Sequence, residues 1–338
     1  MTWFEALTGF REESPHQVRQ NFELISATQL KSRVNGRVMT CGRFETPTLG
    51  ELRQRAASCL MPAVKTTLHE RVGDVRQLHG ERSHGRSLFQ VASQFNALEM
   101  AAPTVVPEEG VGIYEYDHTQ GPLCAIACGA GTIYRNYFVP LQGQHGQSAE
   151  RQIDCLADVG AALGNGDGSL WKMQNGYAFP TPTGLAAINH TLRQCDEQER
   201  DELLSRLRIG LQWDTEVTLQ ENYEPHLVTQ AYCSGLPINY SRLPSEQWQS
   251  FARLILDAAY EATLCAAVLN FNAGGSSRVF LTLVGGGVFG NRVEWILDAI
   301  HRALRRHANA GLHVEIVSYR KSNPQVQAAI EQWRSKVV

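Results

Sequence analysis

Two groups of residues in this sequence have the types and spacing to do chemistry together. One is the run Gly285-Gly286-Gly287-Val288-Phe289-Gly290-Asn291; the other is an acidic stretch with Glu99, Glu108, Glu109 and Asp117, followed by Thr119 and Gln120. Glycines between a strand and a helix let backbone N–H groups approach an anion, and the helix N-terminus adds partial positive charge. The first group therefore reads as a cradle for a diphosphate; the plainer alternative is a tight turn that needs glycine for positive φ. The second group supplies carboxylates that could orient water or stabilise a developing positive charge. Asp117 is the first candidate, because Tyr114 and Tyr116 could partly desolvate it and Thr119 could fix its rotamer. Glu108 and Glu109 come second and Glu99 third, while Thr119 and Gln120 offer neutral hydrogen-bonding groups or cap the next element.

Other chemistries find little support. The eight cysteines (Cys41, Cys59, Cys124, Cys128, Cys155, Cys195, Cys233 and Cys265) are scattered through apolar runs without a CxxC pair. They read as reduced core thiols, and no His/Cys spacing suggests a metal or any cofactor. No Gly-x-Ser-x-Gly elbow is present. His118 beside Asp117 is expected exposed or in the turn, since neighbours on an extended chain point oppositely. With 338 residues, 43% hydrophobic, 19% charged and a formal charge of -3, the chain reads as an ordinary globular protein and not as a nucleic-acid binder. Neither a signal peptide nor an apolar run able to span a bilayer is recognisable, so a cytoplasmic protein is expected, or an effector delivered to a host cytosol.

The elements that must hold these residues form an α/β pattern. Val279–Val284, the glycine run, a helix from Arg292 to about Ala308 and the run Leu312–Ser318 make a βαβ unit, the mark of a buried parallel sheet. Further strands are expected at 63–69, Leu88–Asn96, Ile133–Pro140, Trp171–Phe179, Arg208–Leu219 and Leu227–Cys233. Helices are expected from Ser148 to Leu163, from Thr183 through Leu192, from Asp196 to Leu207 and from Ser245 past Ala266. Residues 1–69 read as a mainly helical extension on a domain of residues 70–338, with a helical stripe through Val18, Phe22, Ile25 and Leu30 and a turn at Gly129–Thr132. Arg135 and Asn136 are free for a polar ligand in this reading. The strand beginning at Leu88 ends in Asn96, at the carboxyl end where open α/β sheets put ligands.

In order and in letters these pieces resemble the macrodomain fold: a Gly73-Asp74-Val75 segment before the first core strand, Asn96, and a late strand and helix around the Gly-Gly-Gly-Val-Phe-Gly-Asn loop. The loop Tyr116-Asp117-His118-Thr119-Gln120-Gly121-Pro122 is most similar to the divergent MavL-type group of bacterial effector macrodomains. The resemblance implies a three-layer α/β/α fold with a mixed central sheet. It also implies removal of ADP-ribose from modified protein, possible ADP-ribosylated ubiquitin among the partners, and water attacking the anomeric carbon with help from a carboxylate. Non-catalytic ADP-ribose reading, or hydrolysis of a free ADP-ribose derivative, are the alternatives. By position, Asp74 and the Val75 backbone would meet adenine, Asn96 the distal ribose, Gly285 to Asn291 the diphosphate, and Phe289 the distal ribose. The poly(ADP-ribose) glycohydrolase pattern, a glycine triplet followed by paired glutamates, is matched only by the triplet and the single Glu294.

Overall fold

Seven strands build one mixed sheet: β1 (Arg43–Glu45), β2 (Thr67–Val72), β3 (Leu88–Ala92), β4 (Gly210–Glu216), β5 (Leu227–Cys233), β6 (Arg278–Leu281) and β7 (His313–Ser318). They appear in a computed structural model that describes residues 1–60, 63–219 and 225–337. The spatial order is β1-β4-β5-β3-β6-β7-β2. Strands β5, β3, β6, β7 and β2 run parallel, and β4 is antiparallel to both of its neighbours.

Side chains alternate across the sheet, so both faces need cover. On β3, Leu88 packs towards the long Ser245–Asn272 helix, and Gln90 on the same face donates from Nε2 to Thr263 Oγ1 at 2.9 Å. Phe89 and Val91 point the other way, into a cluster with Phe280, Tyr232 and Cys124. The first face is covered by Ser245–Asn272 together with Val293–Arg306, Leu49–Ala57, Pro182–Gln194 and Glu197–Ser205. The second is covered by Val75–Gly80, Gln120–Ala127 and Gly129–Tyr137. The result is the three-layer α/β/α arrangement with a mixed sheet that was expected. The Ser245–Asn272 helix is long and apolar enough to cross a membrane, which the sequence reading did not recognise; 83% of its apolar window is buried inside the protein.

Several elements differ from expectation. Residues 1–69 hold three helices but also a three-stranded antiparallel meander (Phe22–Ser26, Gln29–Ser32, Val38–Thr40). The same segment contributes β1 and half of β2 to the main sheet, one at each edge, so it is built into the fold. The stripe through Phe22 breaks because the helix Pro15–Asn21 ends there in extended backbone, leaving Ile25 exposed. Gly129–Tyr137 is a helix, not a turn followed by a strand. Its glycines serve close approach: a Cβ on Gly129 would meet Leu7 and Trp3 at 2.7 Å, and one on Gly131 would meet Thr215 Oγ1 at 2.8 Å. Of the helix expected at Ser148–Leu163, only Ala157–Leu163 forms. The helix Pro324–Val337 was not anticipated.

Candidate functional site

The chain runs from β3 to β4 and β5 on one side, then crosses to β6 and β7 on the other. Open α/β sheets bind ligands outside the carboxyl ends of the strands at such a reversal. A cleft of about 280 Å³ lies there, walled by Ala92, Ser93 and Gln94 after β3, by Gly235 after β5, and by Thr282 and Leu283 after β6.

One wall is the glycine loop. Gly285 (φ 71°) and Gly290 (φ 79°) take left-handed backbone that favours glycine. The loop is closed by Asn291 N–H donating to Gly285 O at 2.9 Å. Buried Asn291 also donates from Nδ2 to Leu236 O at 2.8 Å, stitching the loop to the segment after β5. A Cβ on Gly285 would sit 2.5 Å from that Nδ2. Within the loop, Gly286 N–H donates to Leu283 O at 2.9 Å and Gly290 N–H to Gly287 O at 3.1 Å. The three consecutive amides of Gly287, Val288 and Phe289 have no acceptor among the described residues. Successive unpaired amides at a turn form an anion-binding concavity. Gly285, Gly287, Val288 and Phe289 line the cleft; Gly286, Gly290 and Asn291 shape the loop from behind. Phe289 packs with Tyr177 and Tyr240 (ring centroids 5.2 and 5.7 Å away) as an aromatic side of the same cleft.

The opposite wall carries Asp117, Thr119, Gln120, Gly121 and Pro122. Asp117 Oδ1 accepts from Thr119 N–H at 2.8 Å, which fixes the carboxylate; the backbone amide, not the Thr119 hydroxyl, makes this bond. Gln120 is committed to the sheet, accepting from Ala92 N–H at 2.8 Å and donating to Gln90 O at 2.8 Å. Those groups of β3 are open because β6 pairs with β3 only through Leu88 and Phe89. Gly121 lets the helix end approach so closely that any Cβ would run into Ala92 O. The first turn of Gln120–Ala127 thereby faces the cleft with amides that have no intrahelical acceptor.

Glu99 is the second carboxyl on the cleft, and burial perturbs it strongly. Its side chain is fully buried beside the equally buried Arg135, whose Nη2 donates to both carboxyl oxygens at 3.2 and 3.3 Å. Burial pushes the Glu99 carboxyl up to about 7, and the guanidinium acts in the opposite direction. Arg135 also donates to Ala97 O at 2.9 Å and to the Tyr232 hydroxyl, and its guanidinium carbon lies 3.7 Å from the Tyr232 ring centroid. Arg135, expected to be available to a ligand, is therefore spent on Glu99 and the core. Asn136 is spent likewise, donating to Pro107 O at 3.0 Å.

Other expected site residues fall elsewhere. Glu108 accepts from Ala149 N–H at 3.0 Å, and Glu109 from Val106 N–H at 3.0 Å; both hold the long loop and neither lines the cleft. Asn96 is not at the strand end, because β3 stops at Ala92. It sits in a tight turn with left-handed Ala97, accepting from Leu98 N–H at 3.0 Å and donating to Gln152 at 2.8 Å, while Ser93 and Gln94 take the place on the cleft. Asp74 caps the short Val75–Gly80 helix, accepting from Arg76 N–H at 2.8 Å, and Val75 is a core residue; both are outside the cleft lining. Glu294 is exposed and accepts from Gln325 at 3.3 Å. His118 is exposed and outside the lining, as expected. Tyr177, Tyr240, Ser93 and Gln94 were missed; only the fold brings their distant segments together.

Among the described residues no group of three or more His, Cys, Asp or Glu could hold a metal ion. All eight cysteines are free thiols. Burial pushes Cys41 and Cys265 up to about 12 and Cys233 to about 11, which leaves them inert.

No protein-family model matches the sequence, and no curated protein does. Among solved structures, the poly(ADP-ribose) glycohydrolase from Thermomonospora curvata aligns over 94% of this chain and 97% of its own, at 14% identity and a TM-score of 0.45. The Deinococcus radiodurans glycohydrolase in complex with ADP-ribose covers 97% of this chain and 100% of its own, at 11% identity and a TM-score of 0.44. The Thermomonospora curvata enzyme bound to the inhibitor ADP-HPD aligns over 94% and 97%, at 13% identity and a TM-score of 0.41. At TM-scores below 0.5, such likeness assigns no activity to this chain.

Proposed function

We propose that the protein is an ADP-ribosylhydrolase, releasing ADP-ribose from a modified protein by hydrolysis at the anomeric carbon of the distal ribose. The observation that carries this reading is one cleft lined by three adjacent amides with no acceptor among the described residues, at Gly287–Phe289, by the partly exposed Asp117 and by Glu99, whose carboxyl is buried directly behind it. The amides suit the diphosphate, and the first turn of the Gln120–Ala127 helix adds a second positive pole. Small-molecule sites typically run from about 300 Å³ upward, so a cleft of about 280 Å³ suits the distal ribose and diphosphate, with the nucleoside on the open surface. Asp74 and Val75 remain the candidates for the adenine end.

The two carboxyls stand in unlike environments, which is how acid and base roles are divided. Asp117 is partly exposed and held by one backbone amide, leaving an oxygen to orient water or to face the oxocarbenium-like charge. Glu99, raised to about 7 by burial, keeps a protonated fraction near neutrality that can give its proton to the departing group. The resemblance of the Tyr116–Pro122 loop to MavL-type macrodomains supports a protein-linked substrate over a free nucleotide.

The test uses a labelled ADP-ribosylated protein. The native chain should release ADP-ribose. Asp117→Asn should lose turnover by roughly a hundredfold or more while keeping ADP-ribose affinity measured by calorimetry. Binding without release by the native chain would instead identify a reader. An absence of ADP-ribose binding would end the proposal.

A further inference from the structure

The proposed chemistry does not use the carboxyl of Glu12, a half-buried side chain held by three hydrogen bonds. It lies 87 residues before Glu99 in the chain yet against the same loop. Glu12 Oε1 accepts from Val111 N–H at 3.0 Å and Oε2 from Gly112 N–H at 2.6 Å. Tyr137 donates its hydroxyl to Oε1 at 2.5 Å. Three donors converge on one side chain, and two glycines make room for it: a Cβ on Gly110 would lie 2.5 Å from Oε2, and one on Gly112 2.8 Å.

The segment before it grips the same loop. Trp3 donates its backbone N–H to Glu115 Oε2 and its indole N–H to Val111 O, both at 3.1 Å. Phe4 and Leu7 bury themselves with Leu98, Met100, Val111 and Tyr114. What the loop carries is the reacting pair. The amides held by Glu12 start the turn Gly112–Tyr116; Tyr114 within it accepts from Glu99 N–H at 3.1 Å, and Asp117 N–H donates to Tyr114 O at 3.1 Å. Tyr114 therefore touches both carboxyl-bearing residues, and Glu12 fixes the turn that presents it.

We propose that Glu12 is a positioning residue for hydrolysis: its carboxylate, on a strap formed by the first twelve residues, sets the spacing of Asp117 and Glu99 across the cleft. This rests on the hydrolase reading of that cleft. Glu12 touches neither the glycine loop nor any residue lining the cleft, so it acts on the chemical step and not on the diphosphate grip.

The experiment compares the native chain with Glu12→Gln and Tyr137→Phe. Glu12→Gln puts an amide N–H against one of the donors. kcat for ADP-ribose release should fall roughly tenfold to a hundredfold, as misplacement of reacting groups by about an ångström does. KM and ADP-ribose affinity should stay within about twofold, since uniform binding is untouched. Tyr137→Phe removes a single donor and should give a smaller loss of kcat. Its effect should be non-additive with Glu12→Gln, because both act through the same carboxylate. Hydrogen exchange of the Val111 and Gly112 amides provides a readout independent of turnover: it should quicken in Glu12→Gln, with the β3 and β5 amides unchanged. Unchanged exchange at those two amides, additive effects in the double variant, or equal losses of kcat and ADP-ribose affinity would overturn the strap. If the native chain releases no ADP-ribose, the hydrolase reading fails, whereas the exchange result still reports on Glu12 alone.

Discussion

Replacing Arg135 with Gln should separate the structural from the chemical part of the buried pair. Arg135 and Glu99 are both fully buried, and the guanidinium meets Glu99, Ala97 O and the Tyr232 hydroxyl together. Breaking a buried pair from one side typically costs about 3–5 kcal/mol, because the other charge is left without compensation. The pH dependence sharpens the test. Burial raises the Glu99 carboxyl from 4.5 to about 7, so the native fold loses roughly 3 kcal/mol of stability as pH climbs between those values and the buried group must ionise. Arg135 acts to lower that value, so Arg135→Gln should move it further up and extend the loss above pH 7. Urea unfolding at pH 6 and pH 8 should show a larger deficit for the variant at pH 8, where Glu99 is ionised in the unfolded chain and resisted in the folded one. If Glu99 donates the proton, the basic limb of kcat against pH should shift upward as well. An equal deficit at both pH values, or a basic limb that stays put or moves down, would refute the reasoning.

Gly285→Ala should lower both stability and ADP-ribose affinity: the new Cβ is strained at φ 71° and presses on Asn291 Nδ2, costing roughly 1–3 kcal/mol by urea unfolding. Glu108→Gln and Glu109→Gln should leave ADP-ribose release within about twofold of native, since these carboxylates hold Ala149 N–H and Val106 N–H and not the cleft; a hundredfold loss in either would move the catalytic assignment to them.

The β-branched and apolar runs of β5 and β7, the amphipathic helix between Val293 and Arg306, and the glycine loop were legible in the letters, because buried parallel strands and helix faces write their periods locally. That Asp117 and the glycine loop line one cleft was legible for a similar reason: one carries its fixing amide two residues away, the other its turn requirement in its own glycines. Gly129–Tyr137 was misread because a short run with Ile133 and Tyr137 fits either period, and its glycines answer to Trp3, Leu7 and Thr215, which only packing supplies.

The local sequence thus determined most strands of the main sheet, the long helices and the turn geometry of the glycine loop. Tertiary structure decided which carboxyl is buried and which is solvated. Glu99 and Glu108 are alike as letters. One is sealed against Arg135 and Tyr114 by chain from far away, while the other caps an amide on the surface. Desolvation depends on what surrounds a group in space, and no spacing along the chain encodes it.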